Sequence, residues 1–219
     1  MDLVHPYGAL QRRFRRRRMA EFARMVGLGP RTRILDVGGD LWNWQFLPVR
    51  PTLTVVNLFP PPADLPADVT WVVGDACDMP FRDDAFDVAF SNSVVEHLST
   101  AENQRRFADE VQRVARAYYV QTPNRWFPIE PHLMAPFIHY LPRQWQRPLY
   151  PLTPWALLNS PDVATLDRQF RELRLLTAAQ LHRLFPEAKI LTERAAGIAK
   201  SFVALGGDSA YLSITSARP

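Results

Sequence analysis

The sequence predicts an α/β fold built on a parallel sheet, and three observations carry that reading. Short apolar runs alternate with helical segments, so successive strands need crossover connections. The first run, Arg33-Ile34-Leu35-Asp36-Val37, passes directly into Gly38-Gly39-Asp40, as a buried parallel strand does when it turns sharply over a ligand. Runs at 188–192 and 200–205 add two closing strands. Glycines let backbone amides approach a ligand closely, and a helix beginning near Leu41 would present free N–H groups.

The elements follow in order. Residues 9–26 are expected to be helical, with Leu10, Phe14, Met19, Phe22 and Val26 on one face. Gly27, Gly29 and Pro30 end that helix. A strand at 33–37 precedes a short helix at 41–47, and further strands follow at 52–58, 69–73 and 86–91. Ser99 and Glu102 form a capping box opening a helix whose apolar face is Phe107, Val111 and Val114. The fifth strand is Tyr118–Gln121, ending at Thr122-Pro123. From 124 to 161 eight prolines mix with tryptophan, tyrosine and phenylalanine, which rules against one continuous helix and suggests a lid or an oligomer contact. A helix at 177–185 with its own Thr177–Gln180 box precedes the closing strands, and the tail after Gly207 reads as an edge or surface segment.

With 219 residues, 47% hydrophobic and 22% charged, the chain is an ordinary globular protein, expected as one domain over 1–219. Within it, 1–29 is a basic N-terminal helix, 30–123 a ligand-binding core, 124–161 an insertion and 162–219 a C-terminal helix with strands. The lone Cys77 excludes an internal disulfide and fits a reducing compartment as a small buried side chain. No apolar run approaches the ~18 residues of a membrane helix, and the basic N-terminus lacks a secretory apolar core. A cytoplasmic protein is therefore expected. The net charge of +4 owes much to Arg12, Arg13, Arg15, Arg16, Arg17 and Arg18. These read either as the solvated side of a packed helix or as a peripheral contact with an anionic membrane surface, polyanion or acidic substrate. No repeated aromatic–basic pattern supports nucleic-acid binding.

In an open parallel sheet the ligand lies beyond the carboxyl ends of the strands. The residues there are Asp36 with Gly38 and Gly39, Asn57, Asp75 with Ala76, Ser91 with Asn92, and Thr122. The blocks ILDVGGD at 34–40, VVN at 55–57, GDACDMPFRDDAFDVAFSNSVVEHL at 74–98 and TPN at 122–124 together resemble the class I S-adenosylmethionine (SAM)-dependent methyltransferases. The likeness is to the small single-domain branch that includes quinone-biosynthesis enzymes. It implies a seven-stranded Rossmann-like sheet of five parallel strands and a C-terminal antiparallel pair, with helices on both faces. It also implies that Gly38 and Gly39 pack against the methionine and ribose, that Asn57 meets the ribose, that Asp75 accepts from the adenine amino group beside the Ala76 amide, and that Ser91 and Asn92 lie beneath the sulfonium. A carboxylate such as Asp36 or Asp75 would further favour a cationic cofactor. Asp40 replaces a further glycine of the family, and Asn57 replaces its usual acid while keeping hydrogen-bonding capacity. A dinucleotide enzyme would need Gly-x-Gly-x-x-Gly around a pyrophosphate, where this chain has Gly38-Gly39-Asp40-Leu41-Trp42-Asn43 and an anion that would repel one.

Methyl transfer from a sulfonium mainly requires positioning, but a hydroxyl acceptor also needs a base or a metal. Candidate catalytic residues are His97, His132 and Glu130. The Glu96-His97 pair resembles that of magnesium-using quinone O-methyltransferases and RNA 2′-O-methyltransferases. Those families carry a further glutamate where this chain has Ser93, so the metal set implied here is Glu96, His97 and His132, with Mg²⁺ as the ion. Alternatively, Glu96 is structural and His97 a pocket wall or metal-free base. His5, His139 and His182 read as peripheral. The aromatic segment suits a small acceptor, a saccharide or oligosaccharide of bacterial glycan assembly first and a quinone, lipid or natural product second. A non-catalytic SAM-binding or scaffolding module is the alternative outside the enzymes. A homodimer through 124–161 is also expected.

Overall fold

A computed structural model describes residues 6–212, with side chains from Arg12 onward. His5, the Leu10 side chain and residues 213–219 lie outside the described residues. Helix α1 (Pro6–Met25) leads into β1 (Arg33–Val37), β2 (Thr52–Asn57), β3 (Val69–Val73) and β4 (Phe86–Asn92). Helix α2 (Ala101–Val114) runs directly into β5 (Ala115–Pro123). A two-residue strand pair follows, β6 (Ile129–Glu130) with β7 (Ala135–Pro136), then helices α3 (Arg143–Leu149), α4 (Pro154–Asn159), α5 (Val163–Glu172) and α6 (Ala178–Leu184). Strands β8 (Lys189–Ala195) and β9 (Ile198–Gly207) close the chain, followed by a 3₁₀ turn at Ser209–Tyr211.

Seven strands form one sheet in the order β3-β2-β1-β4-β5-β9-β8. β1 pairs in parallel with β2 and β4, so that Asp36 stands between Val55 and Phe90, and β2 pairs in parallel with β3. Strand order reverses between β1 and β4, which makes the end of β1 the topological switch point. β8 and β9 are joined by Ala196 (φ 48°) and Gly197 (φ 80°), a two-residue turn with both residues left-handed, so the pair is an antiparallel hairpin.

The chain divides into two compact units. The first takes the described parts of 1–92, 109–120 and 205–219; the second takes 93–108 and 121–204. In the first unit, Phe22 of α1 meets Phe90, Tyr119 and Trp44 at ring-centroid distances of 4.8, 5.2 and 6.1 Å. Met19 and Phe22 are fully buried, as the spacing predicts. In the second, Leu133, Ala135, Ile138 and Tyr150 make a small core with Trp155, Leu166 and Phe170 packed on it.

Several expectations change in detail. No helix forms at 41–47: the Asp40 carboxylate accepts the Trp42 N–H at 3.1 Å, Leu41 is left-handed at φ 68°, and only a 3₁₀ turn at Trp44–Phe46 follows. An aspartate that folds back on the chain competes with a helical start. Ser99 is not a helix cap, since its φ is 57° and Thr100 instead accepts the Asn103 N–H at 3.0 Å. The proline-rich segment holds short helices whose prolines sit at their starts, Pro142 at the cap of α3 and Pro154 in the first turn of α4, with Pro148 inside α3. Helix α5, capped by Asp162, lies in a stretch to which the sequence reading assigned no element. Cys77 is free and buried.

Candidate functional site

The first unit builds a glycine turn over a buried acid. Gly38, at φ 75°, donates its N–H to the Val56 carbonyl at 2.8 Å, which draws the turn back across β2. A side chain at Gly39 would put its Cβ 1.9 Å from Asp36 Oδ2, so only glycine fits there. Asp36 itself is fully buried. Its Oδ2 accepts the Trp44 indole N–H at 2.6 Å, while Oδ1 is buried with no hydrogen-bond partner. Burial pushes the Asp36 carboxyl up to about 7, the Trp44 hydrogen bond pulls the other way, and Asp40 adds to the rise.

The remaining strand ends support this turn. Asn57 donates its side-chain N–H to the Gly39 carbonyl at 2.9 Å and accepts the Phe59 N–H at 3.1 Å. Its amide thus ties β2 to the glycine turn. Asp75 is exposed; one oxygen accepts the Cys77 N–H at 2.8 Å, and the other makes no hydrogen bond among the described residues. Ala76 follows it, half-buried. Ser91 donates its hydroxyl to the Val37 carbonyl at 3.1 Å, locking β4 to β1. Asn92 accepts a hydrogen bond from the Arg18 guanidinium.

That last contact went unread in the sequence. Arg12, Arg13, Arg16 and Arg17 are exposed, but Arg18 is buried and Arg15 half-buried. Arg15 donates to Asn43 at 3.1 Å and lies 4.2 Å over the Trp42 ring. Burial, with Arg18 nearby, lowers its pKa to about 10. The signal was spacing: Arg15, Arg18 and Phe22 share a helix face at three- and four-residue intervals.

One observation fits an adenosyl cofactor: the orphaned Asp36 Oδ1 is a buried acceptor that the protein leaves unused.

The second unit gathers four ionisable residues. His97 closes a 3₁₀ turn, Val95–His97, which Gln104 pins by donating to the carbonyls of Val95 and Arg174 at 3.0 and 3.1 Å. His132 sits in the loop of the β6–β7 hairpin. Glu130, fully buried, accepts from His132 Nδ1 at 2.7 Å and from the Leu133 N–H at 2.6 Å. The far nitrogen of His132, Nε2, lies 3.1 Å from His97 Nε2 and 3.7 Å from Glu96 Oε1. Glu96 Oε2 accepts the Thr122 hydroxyl at 2.9 Å, and Oε1 is buried without a hydrogen-bond partner. Ser93, standing where the resemblance places a glutamate, uses its hydroxyl on Gln121 at 3.0 Å.

Electrostatics separate these groups. Burial raises the Glu96 carboxyl against the pull of His132. Burial also opposes the charge on Glu130, yet the hydrogen bond and charge of His132, with the Leu133 and His132 amides, hold it below the usual range. Burial likewise opposes a charged His132, and Glu130 with Glu96 overcomes it and raises that imidazole. His97 is lowered to about 4 by burial and by His132, so it stays neutral.

Glu96, His97 and His132 each offer one ligand atom, all within 4.8 Å of one another. Two nitrogens on one ion at ~2.1 Å stand roughly 3.0–3.4 Å apart at angles of about 90–110°, so the His97–His132 distance fits a shared cation. The three residues therefore fit a divalent ion. Two imidazoles and one carboxylate suit a zinc- or manganese-type ion better than magnesium, which prefers oxygen ligands. Glu130 stands behind His132 as the partner that orients it. His182 is exposed on α6, whereas His139, read as peripheral, lines a cavity of the second unit.

Residues 51–117, from β2 to the start of β5, match the family model described as a methyltransferase domain. Comparison with curated proteins finds no relative by sequence. Among solved structures, the chain is similar in fold to 1,6-didemethyltoxoflavin-N1-methyltransferase of Burkholderia thailandensis with bound S-adenosylhomocysteine (SAH). That match has 13% identity and a TM-score of 0.55, over 87% of this chain and 76% of that one. It is also similar to the N-methyltransferase NodS of Bradyrhizobium japonicum WM9, again with SAH, at 12% identity and a TM-score of 0.54, over 93% and 88% of the two chains. Magnesium protoporphyrin IX methyltransferase of Synechocystis PCC 6803, with SAH bound, gives 7% identity and a TM-score of 0.56, over 94% and 88%. No helix among the described residues is long and apolar enough to cross a membrane.

Proposed function

We propose that this chain, a SAM-dependent methyltransferase of the class I fold, methylates a hydroxyl of a small polar acceptor, a saccharide or oligosaccharide first. The observation that carries this is Glu96 Oε1, buried without a hydrogen-bond partner beside His97 and His132. An amine acceptor offers a lone pair and needs no such group, whereas a protonated hydroxyl is a poor nucleophile. The two neighbours named for nitrogen methylation share the fold with this chain at 12 and 13% identity and leave the acceptor to its own residues.

On this reading Asp36, Gly38, Gly39, Asn57, Asp75, Ala76, Ser91 and Asn92 seat the cofactor. Asp36 supplies negative charge for a cationic ligand, and Asp75 keeps one carboxylate oxygen for an amino group. A divalent ion held by Glu96, His97 and His132 supplies Lewis acidity, which makes a nearby hydroxyl easier to ionise. Glu130 holds a proton at His132 Nδ1 and so directs the Nε2 lone pair toward Glu96 and His97. Without a cation, His132 carries a proton on each nitrogen, and its Nε2–H donates to Nε2 of the neutral His97.

An apolar acceptor, such as a quinone or another natural product, is the second reading. Trp126, Phe137 and Trp145, each more than half exposed, favour it. Screening saccharides and quinols with methyl-labelled SAM, and locating the methyl by mass spectrometry, tests both. O-methylated sugar supports the first reading, and methylation on nitrogen alone defeats it.

A further inference from the structure

The second unit holds a cavity of about 620 Å³ whose wall carries Arg125, Arg143, Arg171 and Arg174 and no aspartate or glutamate. Two of these guanidiniums are held in place. Arg143 donates to the carbonyls of Leu173, at 3.3 Å, and Phe170, and lies 4.0 Å over the Phe170 ring. Arg125 lies 5.4 Å over Trp126. Arg171 and Arg174 are exposed, and neither makes an ion pair among the described residues. His139 also lines the cavity, and burial keeps its ring neutral, so the positive charge there belongs to the arginines.

A concavity with several guanidiniums and no acid repels cations and concentrates anions. Arginine forks match the paired oxygens of a phosphate. One carboxylate would offset a single guanidinium, whereas a phosphomonoester or diphosphate offsets two or more. The cavity also shares backbone with the Glu96 turn. The Arg174 N–H donates to the Glu96 carbonyl at 2.6 Å, and Gln104 bridges the Val95 and Arg174 carbonyls. An anion gripped here is thus fixed to the element that carries Glu96 and His97.

We propose that this cavity binds the phosphate-bearing end of the acceptor, a phosphomonoester or diphosphate, and so selects a phosphorylated hydroxyl compound over its neutral parent. The word acceptor rests on the reading in the preceding section; the anion site stands on the cavity alone. The phosphate has two possible sources, a soluble ester or a lipid headgroup, and the exposed Leu152, Leu157 and Leu158 leave both open.

Calorimetric titration of the full chain with inorganic pyrophosphate is the test. The wild type is expected to bind it at sub-millimolar Kd, weakening steeply with salt. Arg171→Gln/Arg174→Gln, which alters exposed side chains only, is expected to bind it at least tenfold more weakly while SAH affinity stays within twofold. A second arm uses phosphatidylcholine vesicles with and without phosphatidic acid. Retention that needs phosphatidic acid and fails in the double variant assigns the phosphate to a lipid, and pyrophosphate binding without retention assigns it to a soluble ester. Absence of pyrophosphate binding, or equal binding by wild type and variant, overturns the site. SAH binding and hydroxyl methylation are read separately, so that outcome leaves the methyltransferase reading standing.

Discussion

His97 Nε2 lies 3.1 Å from His132 Nε2, with the two rings nearly perpendicular at 88°. Because Glu130 occupies His132 Nδ1, the Nε2 atom is the one left for chemistry. The two nitrogens share either one proton or one cation, and Glu96 Oε1, buried without a hydrogen bond and 3.7 Å from His132 Nε2, is the third ligand atom a cation would find there.

Zinc or manganese ions added to the metal-stripped protein are expected to raise its Tm. Ligand at about a hundred times Kd contributes roughly 2.7 kcal/mol, or several degrees for a chain of this size. Glu96→Gln should lose most of that rise, and Mg²⁺ should do less than either ion. Identical melting with and without these ions would remove the cation from the site.

Glu130→Gln tests positioning. The variant keeps the shape but no longer fixes the proton at His132 Nδ1. Metal affinity or turnover is expected to fall about 10–100-fold, with SAH affinity unchanged. Calorimetry with metal and with SAH separates this from a general loss of folding.

Gly39→Ala places a methyl group where Asp36 Oδ2 now lies. The buried carboxylate must move, and its Trp44 hydrogen bond with it. A loss of about 1–3 kcal/mol in stability is expected, seen as a lower Tm, together with SAH binding weakened at least tenfold.

Asp36 makes the first unit sensitive to pH. Its folded pKa, about 7, lies above the unfolded value, so the folded state holds the extra proton. Its contribution to stability is full below about pH 4 and is lost as pH rises through 7, by a few kcal/mol in all. Asp36→Asn should flatten that part of the stability profile. Affinity for the sulfonium-bearing SAM should rise through pH 7 in the wild type as Asp36 ionises, and stay level in Asp36→Asn.

The parts of this molecule readable from its sequence are those whose signal is local. Ile34, Leu35 and Val37 announce a buried strand, and Gly38-Gly39 announces its turn, because period and backbone permissiveness act over a few residues. Glu96 and His97 were visible as neighbours. The resemblance also joined His132 to them, 35 residues further on, but the hairpin of two-residue strands that carries it there was too short to leave a pattern. The helix expected at 41–47 failed because Asp40 accepts the Trp42 amide and Leu41 turns left-handed. Arg15 and Arg18 were hidden in a run of like residues, where composition says nothing about which ones turn inward. Helix α5 carries a plain Asp162 cap, and the preceding prolines masked it.

The most direct measurement follows methyl-labelled SAM into a hydroxylated acceptor in the presence of a divalent ion. Transfer to oxygen is expected in the wild type, with a loss of at least a hundredfold in Glu96→Gln and His132→Ala while both variants still bind SAH. Methyl transfer that is indifferent to EDTA and to both substitutions, or SAH binding with no transfer to any hydroxyl, would contradict it.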